Sequence, residues 1–413
     1  MTFQLFLRIG IDVTCWINGR GFGRFIRELV GALVRRDAGH EYVFLADRQT
    51  AERAQLPKGH RVAVGATSVA AAEAAAADGR RSVGDMWAMH RLVRREPLDL
   101  VFFPAVYSYF PVGGRFPVLV TFHDVIAETL PHLIFHNRRS RFFWNLKCRH
   151  AARRSARVIT VSQASKRGLM DVLDLPEEKV RVITEGPSEV FRAFRPDPVV
   201  EAQARQKHGI GVKERFLLYV GGISPHKNLA TLIEAFALLA NEPAARDLLL
   251  VLVGDFRGDV FRTCHQELIA LATTRGVASR VHFSGFVPDA DLAHLFHAAE
   301  AFVFPSYLEG FGLPAVEAMA CGAAVVASDR GSLPEVVGDA GLFFDPHDAE
   351  GLAATLGRVL HDSHLRTEMR AKSLQRAPQF TWEKSAEQLL AVFDEFKGKM
   401  SHPKSSGVGW IGR

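Results

Sequence analysis

An α/β protein built from two doubly wound parallel sheets is the fold class this sequence predicts. Three observations lead there. Thirteen short apolar runs rich in β-branched residues recur along the 413 residues, most of them separated by longer amphipathic segments. The runs show little polar alternation, as strands buried on both faces do. They also fall into two series, split where two prolines interrupt the pattern at Phe194-Arg195-Pro196-Asp197-Pro198.

The first series is Leu7–Val13, Tyr42–Ala46, Val62–Val64, Leu98–Phe103, Val118–Phe122, Val158–Val161 and Val180–Ile183. The second is Phe216–Val220, Leu248–Val253, Val281–Phe283, Ala301–Phe304, Ala323–Ala327 and Gly341–Phe344. Helical segments between most of them imply repeated βαβ units. The expected organisation is a first domain over 1–193 and a linker over 194–212 that ends in an entry helix. A second domain over 213–379, a helical segment over 380–400 and a tail over 401–413 follow. Trp382–Phe396 places Leu389, Leu390, Val392, Phe393 and Phe396 on one helical face, with Thr381 as N-cap. The alanine-rich Ala70–Ala77 reads as an exposed helix, and the Ser/Gly-rich tail as a fraying end.

A composition of 48% hydrophobic and 23% charged residues excludes disorder, collagen and a coiled coil as the overall class. The net charge of +6 admits nucleic acid, an anionic membrane or a phosphorylated substrate as partner. Four widely spaced cysteines without a CxxC predict a reduced compartment. The apolar Met1–Leu7 lacks a charged n-region and a cleavage site, so it reads as a first strand. No charge-free apolar stretch reaches the ~18 residues of a membrane span.

Several segments carry candidate chemistry. Gly19-Arg20-Gly21-Phe22-Gly23-Arg24 lies between the first strand and an amphipathic helix, where backbone amides can approach a phosphate or simply form a flexible turn. Its spacing is not that of a dinucleotide fingerprint. His123-Asp124 ends a strand, at the edge that lines the ligand crevice of open α/β sheets. The stretch Arg138–Arg157 has eight basic residues, no acidic one, and Phe142, Phe143 and Trp144 among them. It is either a solvated helix with inward aromatics or a membrane-surface helix. No nucleic-acid module accompanies it.

In the second half, Gly221-Gly222-Ile223-Ser224-Pro225-His226-Lys227-Asn228 joins a strand to a helix and offers Lys227 to a diphosphate. Pro305 to Glu317 is the most informative segment. Glu309 would lie in the loop after a strand, and Glu317 one turn into a helix among Ala318, Met319 and Ala320, where a buried acid needs a partner. Carboxylates accept well from sugar and ribose hydroxyls. The amides of Phe311, Gly312 and Leu313 at the helix start suit a diphosphate. Asp289-Ala-Asp291 is formally D-x-D but precedes a helix and reads as capping rather than metal binding.

Glu309 to Glu317 resembles the E-x7-E motif of retaining glycosyltransferases of the GT-B fold, family 4. The loop Tyr219-Val220-Gly221-Gly222 with Pro225 to Leu229 resembles the family's donor-phosphate loop. Phe283-Ser284-Gly285-Phe286-Val287-Pro288-Asp289 resembles its base-side loop, and Leu333 to Asp345 is a further hallmark. The glycine loop before Arg24, His123-Asp124 and Val161-Ser162 with Ser165-Lys166 recur in the family's order. The resemblance implies two Rossmann-like domains facing a cleft, with the last helix crossing back onto the first. It implies that Lys227 binds the donor diphosphate, Glu309 the transferred sugar and Glu317 the ribose. His123 would reach the reaction centre, and Gly21 and Gly23 would approach the diphosphate from the opposite wall. Gly222, Phe286 and Val287 would complete the donor site. Gly222 stands where many members carry Arg, so phosphate neutralisation is expected from His226, Arg24 or helix amides.

The activity implied is retaining transfer from a nucleoside diphosphate sugar to a hydroxyl of a glycan or lipid-linked acceptor, with no metal and no nucleic acid. A mannose- or rhamnose-type sugar is favoured. The expected location is the cytoplasm, with peripheral contact at the inner face of an anionic membrane. A catalytically silent nucleotide-sugar-binding protein is the alternative.

Overall fold

The computed structural model describes residues 6–68, 82–113, 116–255 and 263–397. Ala70–Ala77 and the 401–413 tail lie outside the described residues. In the first half, β1 (Arg8–Asp12), β2 (Glu41–Asp47), β3 (Arg61–Gly65), β4 (Leu100–Phe103), β5 (Val118–Thr121), β6 (Arg157–Thr160) and β7 (Val180–Val182) form one sheet. Its order is β3-β2-β1-β4-β5-β6-β7. In the second half, β8 (Arg215–Val220), β9 (Leu248–Val253), β10 (Val281–Gly285), β11 (Ala301–Phe304), β12 (Val325–Ser328) and β13 (Gly341–Phe344) form another, in the order β10-β9-β8-β11-β12-β13. Each of the thirteen predicted runs contains or overlaps one of these strands.

All pairings are parallel, with Ile11 beside Phe44 and Phe102, and Leu218 beside Val251 and Phe302. These side chains are fully buried, each contributing about 1.5–3 kcal/mol of burial free energy. Chain order reverses between β1 and β4 in one sheet and between β8 and β11 in the other. Those two switch points are where a doubly wound sheet opens a crevice at its carboxyl edge.

The predicted entry helix is Pro198–Lys207, capped by Asp197 accepting from the Val199 and Val200 amides. The terminal helix is Trp382–Asp394, capped by Thr381 accepting from the Lys384 amide. It packs on the Gly21–Arg36 helix of the first half, with Trp382 edge-on to Phe25 and Glu387 paired with Arg36 at 2.7 Å.

Two expectations are corrected, and one open alternative is narrowed. Gly21 and Gly23 do not lie in a loop; they form the first turn of the Gly21–Arg36 helix. A Cβ on Gly23 would stand 2.0 Å from the Asn18 carbonyl, so this glycine serves close packing. Asp289 and Asp291 do not cap the Asp289–Ala298 helix, whose N-cap is Pro288. Their side chains pair with Arg24, and with Lys207 and His208, respectively. In the Arg138–Arg154 helix only Trp144 of the three aromatics points inward, held by Glu128 at 2.6 Å, while Phe142 and Phe143 are 63% and 54% exposed.

Candidate active site

Both loops at the second switch point converge. After β8, Gly221 adopts φ 156°, and the Tyr219 hydroxyl donates to the Gly222 carbonyl at 2.8 Å. Asn228 closes the loop in the left-handed region (φ 58°), which Asn tolerates better than most residues. Its Nδ2 donates to Pro305 at 3.0 Å and to Pro346 at 2.7 Å, so the β8 loop is stitched to the β11 loop. The Tyr307 amide adds a bond to the His226 carbonyl at 3.1 Å. That stitching places Lys227 Nζ 2.6 Å from Glu309 Oε1, with both side chains largely buried.

The two halves meet directly above this pair. A Cβ on Gly310 would stand 2.2 Å from the His123 carbonyl, and the Ser162 hydroxyl donates to the Gly310 carbonyl at 2.6 Å. Glu335 accepts from the Gln163 and Ala164 amides at 3.0 and 3.1 Å, a carboxylate at the start of a first-half helix. Asp124 is thereby brought close to Lys227 and Glu309. Burial raises its carboxyl, Glu309 adds to the rise, and the Ile126 amide, His123 and Lys227 oppose it.

His123 reaches this junction through its backbone. Its ring lies edge-on to Phe25 at 4.7 Å. Nε2 donates to the Pro104 carbonyl at 3.1 Å, and Nδ1 stands 3.4 Å from buried Glu185.

Further along the cleft, Arg24 spans the halves. It pairs with Glu317 and, through Nη2, with both oxygens of Asp289 at 2.7 and 2.9 Å. Burial alone would weaken the guanidinium, but the two carboxylates more than offset it and hold it firmly protonated. One cation facing two acids leaves a surplus negative charge. Glu317, fully enclosed in the Leu313–Ala320 helix, is accordingly pushed up to about 7 by burial. That helix starts at Gly312 (φ 93°) with no side-chain cap, and the Phe311 and Leu313 side chains are buried.

In the loop before the Asp289–Ala298 helix Phe286 is 73% exposed, whereas the Val287 side chain is buried at 3% and turns into the core. His226 carries no charge. Burial first, then Lys227 and Arg20, bring it down to about 3, and its buried Nδ1 has no hydrogen-bond partner among the described residues. Sequence reasoning gave Asp124 no role of its own, although it adjoins His123, and it missed Glu185, which no local pattern marks.

Comparison with known proteins agrees with this geometry. The family described as Glycosyl transferases group 1 matches residues 200–376, and Glycosyltransferase Family 4 matches residues 19–186. The chain is 34% identical over 279 residues to O-antigen chain mannosyltransferase B of Escherichia coli, covering 67% of this chain and 69% of that protein. It is 30% identical over 272 residues to the serotype-specific mannosyltransferase WbdA of Escherichia coli, covering 66% of this chain but only 32% of that longer protein. In fold it is similar to the sucrose-phosphate synthase of Thermosynechococcus elongatus (TM-score 0.75, 21% identity, 95% of this chain and 100% of that one). Anabaena HepE solved with UDP-glucose has a TM-score of 0.70 at 21% identity, covering 94% of this chain and 100% of that one. The E-x7-E spacing of Glu309 and Glu317, the two switch-point clefts and these matches together establish that the chain belongs to the family 4 glycosyltransferases of the GT-B fold.

Proposed function

We propose that this glycosyltransferase moves a mannose-type sugar from a nucleoside diphosphate donor to a hydroxyl of a glycan or lipid-linked acceptor, retaining the anomeric configuration. The observation that carries the reading is the Lys227–Glu309 pair at the second switch point, roofed by His123 and Asp124 of the first half. Lys227 and the uncapped start of the Leu313–Ala320 helix stabilise the departing diphosphate electrostatically. Glu309 holds the sugar hydroxyls, Glu317 a ribose hydroxyl, and His123 borders the reacting sugar. Glu309 is tied to a cation, which suits an orienting carboxylate better than a nucleophile. A front-face route, with the diphosphate assisting acceptor deprotonation, therefore fits best. The names of the E. coli relatives support the mannose assignment, and the HepE complex supports a nucleotide sugar.

The acceptor side points to a surface. The Arg138–Arg154 helix exposes Phe142, Phe143 and Leu146 among arginines, which fits peripheral contact with an anionic membrane. Among the described residues no helix is long and apolar enough to cross one. The experiment is a thermal-shift and turnover screen with UDP-, GDP- and dTDP-sugars, followed by NMR assignment of the product anomer. An inverted product refutes retention. Equal, negligible turnover by wild type and Lys227→Ala favours a silent binding protein.

A further inference from the structure

The first half carries a pocket that the donor chemistry leaves unused. It has a volume of about 450 Å³ and is lined by Trp16, Ile17, Arg27, Arg53, Ala54 and Gln55. That lies within the roughly 300–1,000 Å³ of small-molecule sites. Trp16 and Ile17 follow β1, while Arg53, Ala54 and Gln55 close the Arg48–Arg53 helix that follows β2. Both segments lie beyond the carboxyl ends of adjacent strands, the edge on which open α/β sheets bind ligands.

Arg27 comes three residues after Arg24 on the Gly21–Arg36 helix. Residues at that spacing are neighbours on one face, roughly 5–6 Å apart at Cβ. Arg24 spans the cleft to Glu317 and Asp289, so the pocket opens beside the cleft. Unlike the surroundings of Lys227, it is built from the first half alone.

Its two cations are uncompensated. Arg24 has two carboxylates, whereas neither Arg27 nor Arg53 has an ion-pair partner among the described residues. Arg27 commits only Nη1 to the protein, donating to the Trp16 carbonyl at 2.6 Å and the Asn18 carbonyl at 2.9 Å. Those bonds fix the guanidinium in the wall of the pocket and leave Nε and Nη2 without a protein acceptor among the described residues. Burial disfavours its charge, and Arg24 adds to the effect. A fixed guanidinium in that condition gains when an anion arrives.

We propose that the pocket is an acceptor subsite for a sugar unit bearing an oxyanion, a carboxylate or a phosphate, which Arg27 and Arg53 grip while Gln55 meets its hydroxyls. Its role as an acceptor subsite rests on the reading of the chain as a nucleoside diphosphate sugar transferase; its choice of an anion does not. A planar guanidinium matches two oxygens of either group. An amide both donates to hydroxyls and accepts from them. No carboxylate lines the pocket, so a neutral sugar would leave both charges uncompensated.

Ligand-observed NMR titration of the full chain with mannose 6-phosphate, digalacturonate and neutral mannobiose tests this, each with and without saturating GDP or UDP. Wild type should bind one of the anionic probes at least about tenfold more tightly than mannobiose. It should keep that probe when the nucleoside diphosphate is bound, because the donor cleft is made of other residues. The tighter of the two anions identifies the substituent. Arg53→Ala should weaken that probe about three- to tenfold, and Arg53→Glu should abolish its binding. Arg53 is exposed and its side chain makes no hydrogen bond among the described residues, so neither variant removes a contact the fold needs. Arg27→Gln should cost at least as much as Arg53→Ala, with circular dichroism read first because Arg27 also holds the Asn18 turn. Equal affinity for mannobiose, displacement of the anion by GDP or UDP, or full binding by Arg53→Glu would each overturn the subsite. Wild type that binds the anion but neither nucleoside diphosphate would uphold the anion site and overturn its acceptor role together with the donor reading.

Discussion

Lys227 and Glu309, 82 positions apart, form a 2.6 Å ion pair that neither the β8 nor the β11 loop could make alone. Asn228 joins those loops through Pro305, so fold and site are held by the same residue. The pair holds together, in a largely buried place, the two groups proposed to meet the phosphate and the sugar. Lys227→Ala should lower turnover by about 10²–10³-fold. It should also cost about 3 kcal/mol of stability, because Glu309 is left buried without its counter-ion. Lys227→Ala/Glu309→Gln should recover the stability but not the turnover, read by urea denaturation and by product formation. Equal melts for single and double variants would show that the pair is not energetically coupled.

Gly310 sets the spacing between the halves. Alanine there would drive its Cβ to 2.2 Å from the His123 carbonyl, and backbone cannot yield as a side-chain tip can. Gly310→Ala should therefore reduce turnover at least about tenfold while each half stays folded, since a displacement of about 1 Å suffices to lose that much. Small-angle scattering should show a larger radius of gyration. Wild-type turnover in this variant would mean that the contact between halves is irrelevant to the reaction.

The sheets were legible because parallel strands buried on both faces leave uninterrupted apolar runs, such as Leu248–Val253 and Ala301–Phe304. The Thr381 cap was legible because it directly precedes an apolar helical face. Contacts between the halves were not. Arg24 with Glu317 and Glu335 with Gln163 join residues 293 and 172 positions apart, and no periodicity encodes such pairs. Gly23 read as a loop residue because close packing, here against the Asn18 carbonyl, calls for glycine just as a flexible loop does. The direction of Phe142 and Phe143 stayed open in the sequence, because a basic helix with interleaved aromatics reads alike whether they turn inward or outward.

Glu317 gives the fold a pH dependence. Its carboxyl titrates near 7 when folded, against an ordinary value of 4.5 in the unfolded chain. Folding therefore takes up a proton between these values. The stabilisation is fully present below about 4.5 and is lost as pH rises through 7, a swing on the order of 3 kcal/mol. Glu317→Gln should flatten that decline in urea midpoints measured from about pH 5 to pH 8. Parallel profiles for wild type and variant would refute the assignment.

Turnover should proceed without a divalent cation. The D-x-D carboxylates are already engaged, Asp289 by Arg24 and Asp291 by Lys207 and His208. Lys227, as proposed, supplies positive charge that a metal would otherwise bring to the diphosphate. EDTA should leave the initial rate unchanged. A rate abolished by EDTA and restored by Mg²⁺ or Mn²⁺ would show that Lys227 and the helix amides are insufficient.

The Arg138–Arg154 helix should bind anionic vesicles. Phe142, Phe143 and Leu146 are 63%, 54% and 56% exposed, and no acidic residue lies on the helix. Trp144 and Cys148 anchor its other side in the core, so the exposed face is presented by a rigid support. Each Arg near a charged surface contributes roughly 1 kcal/mol, and inserted rings add their apolar area. The protein should sediment with phosphatidylglycerol vesicles at low salt and not with phosphatidylcholine vesicles. Phe142→Ser/Phe143→Ser/Leu146→Ser should weaken sedimentation at every salt concentration, whereas Arg138→Glu/Arg139→Glu should abolish the salt dependence. Neither change touches the cleft, so donor binding should be unaltered in both. If anionic vesicles leave the wild type in the supernatant at low salt, the helix is a solvated face and the acceptor is met in solution.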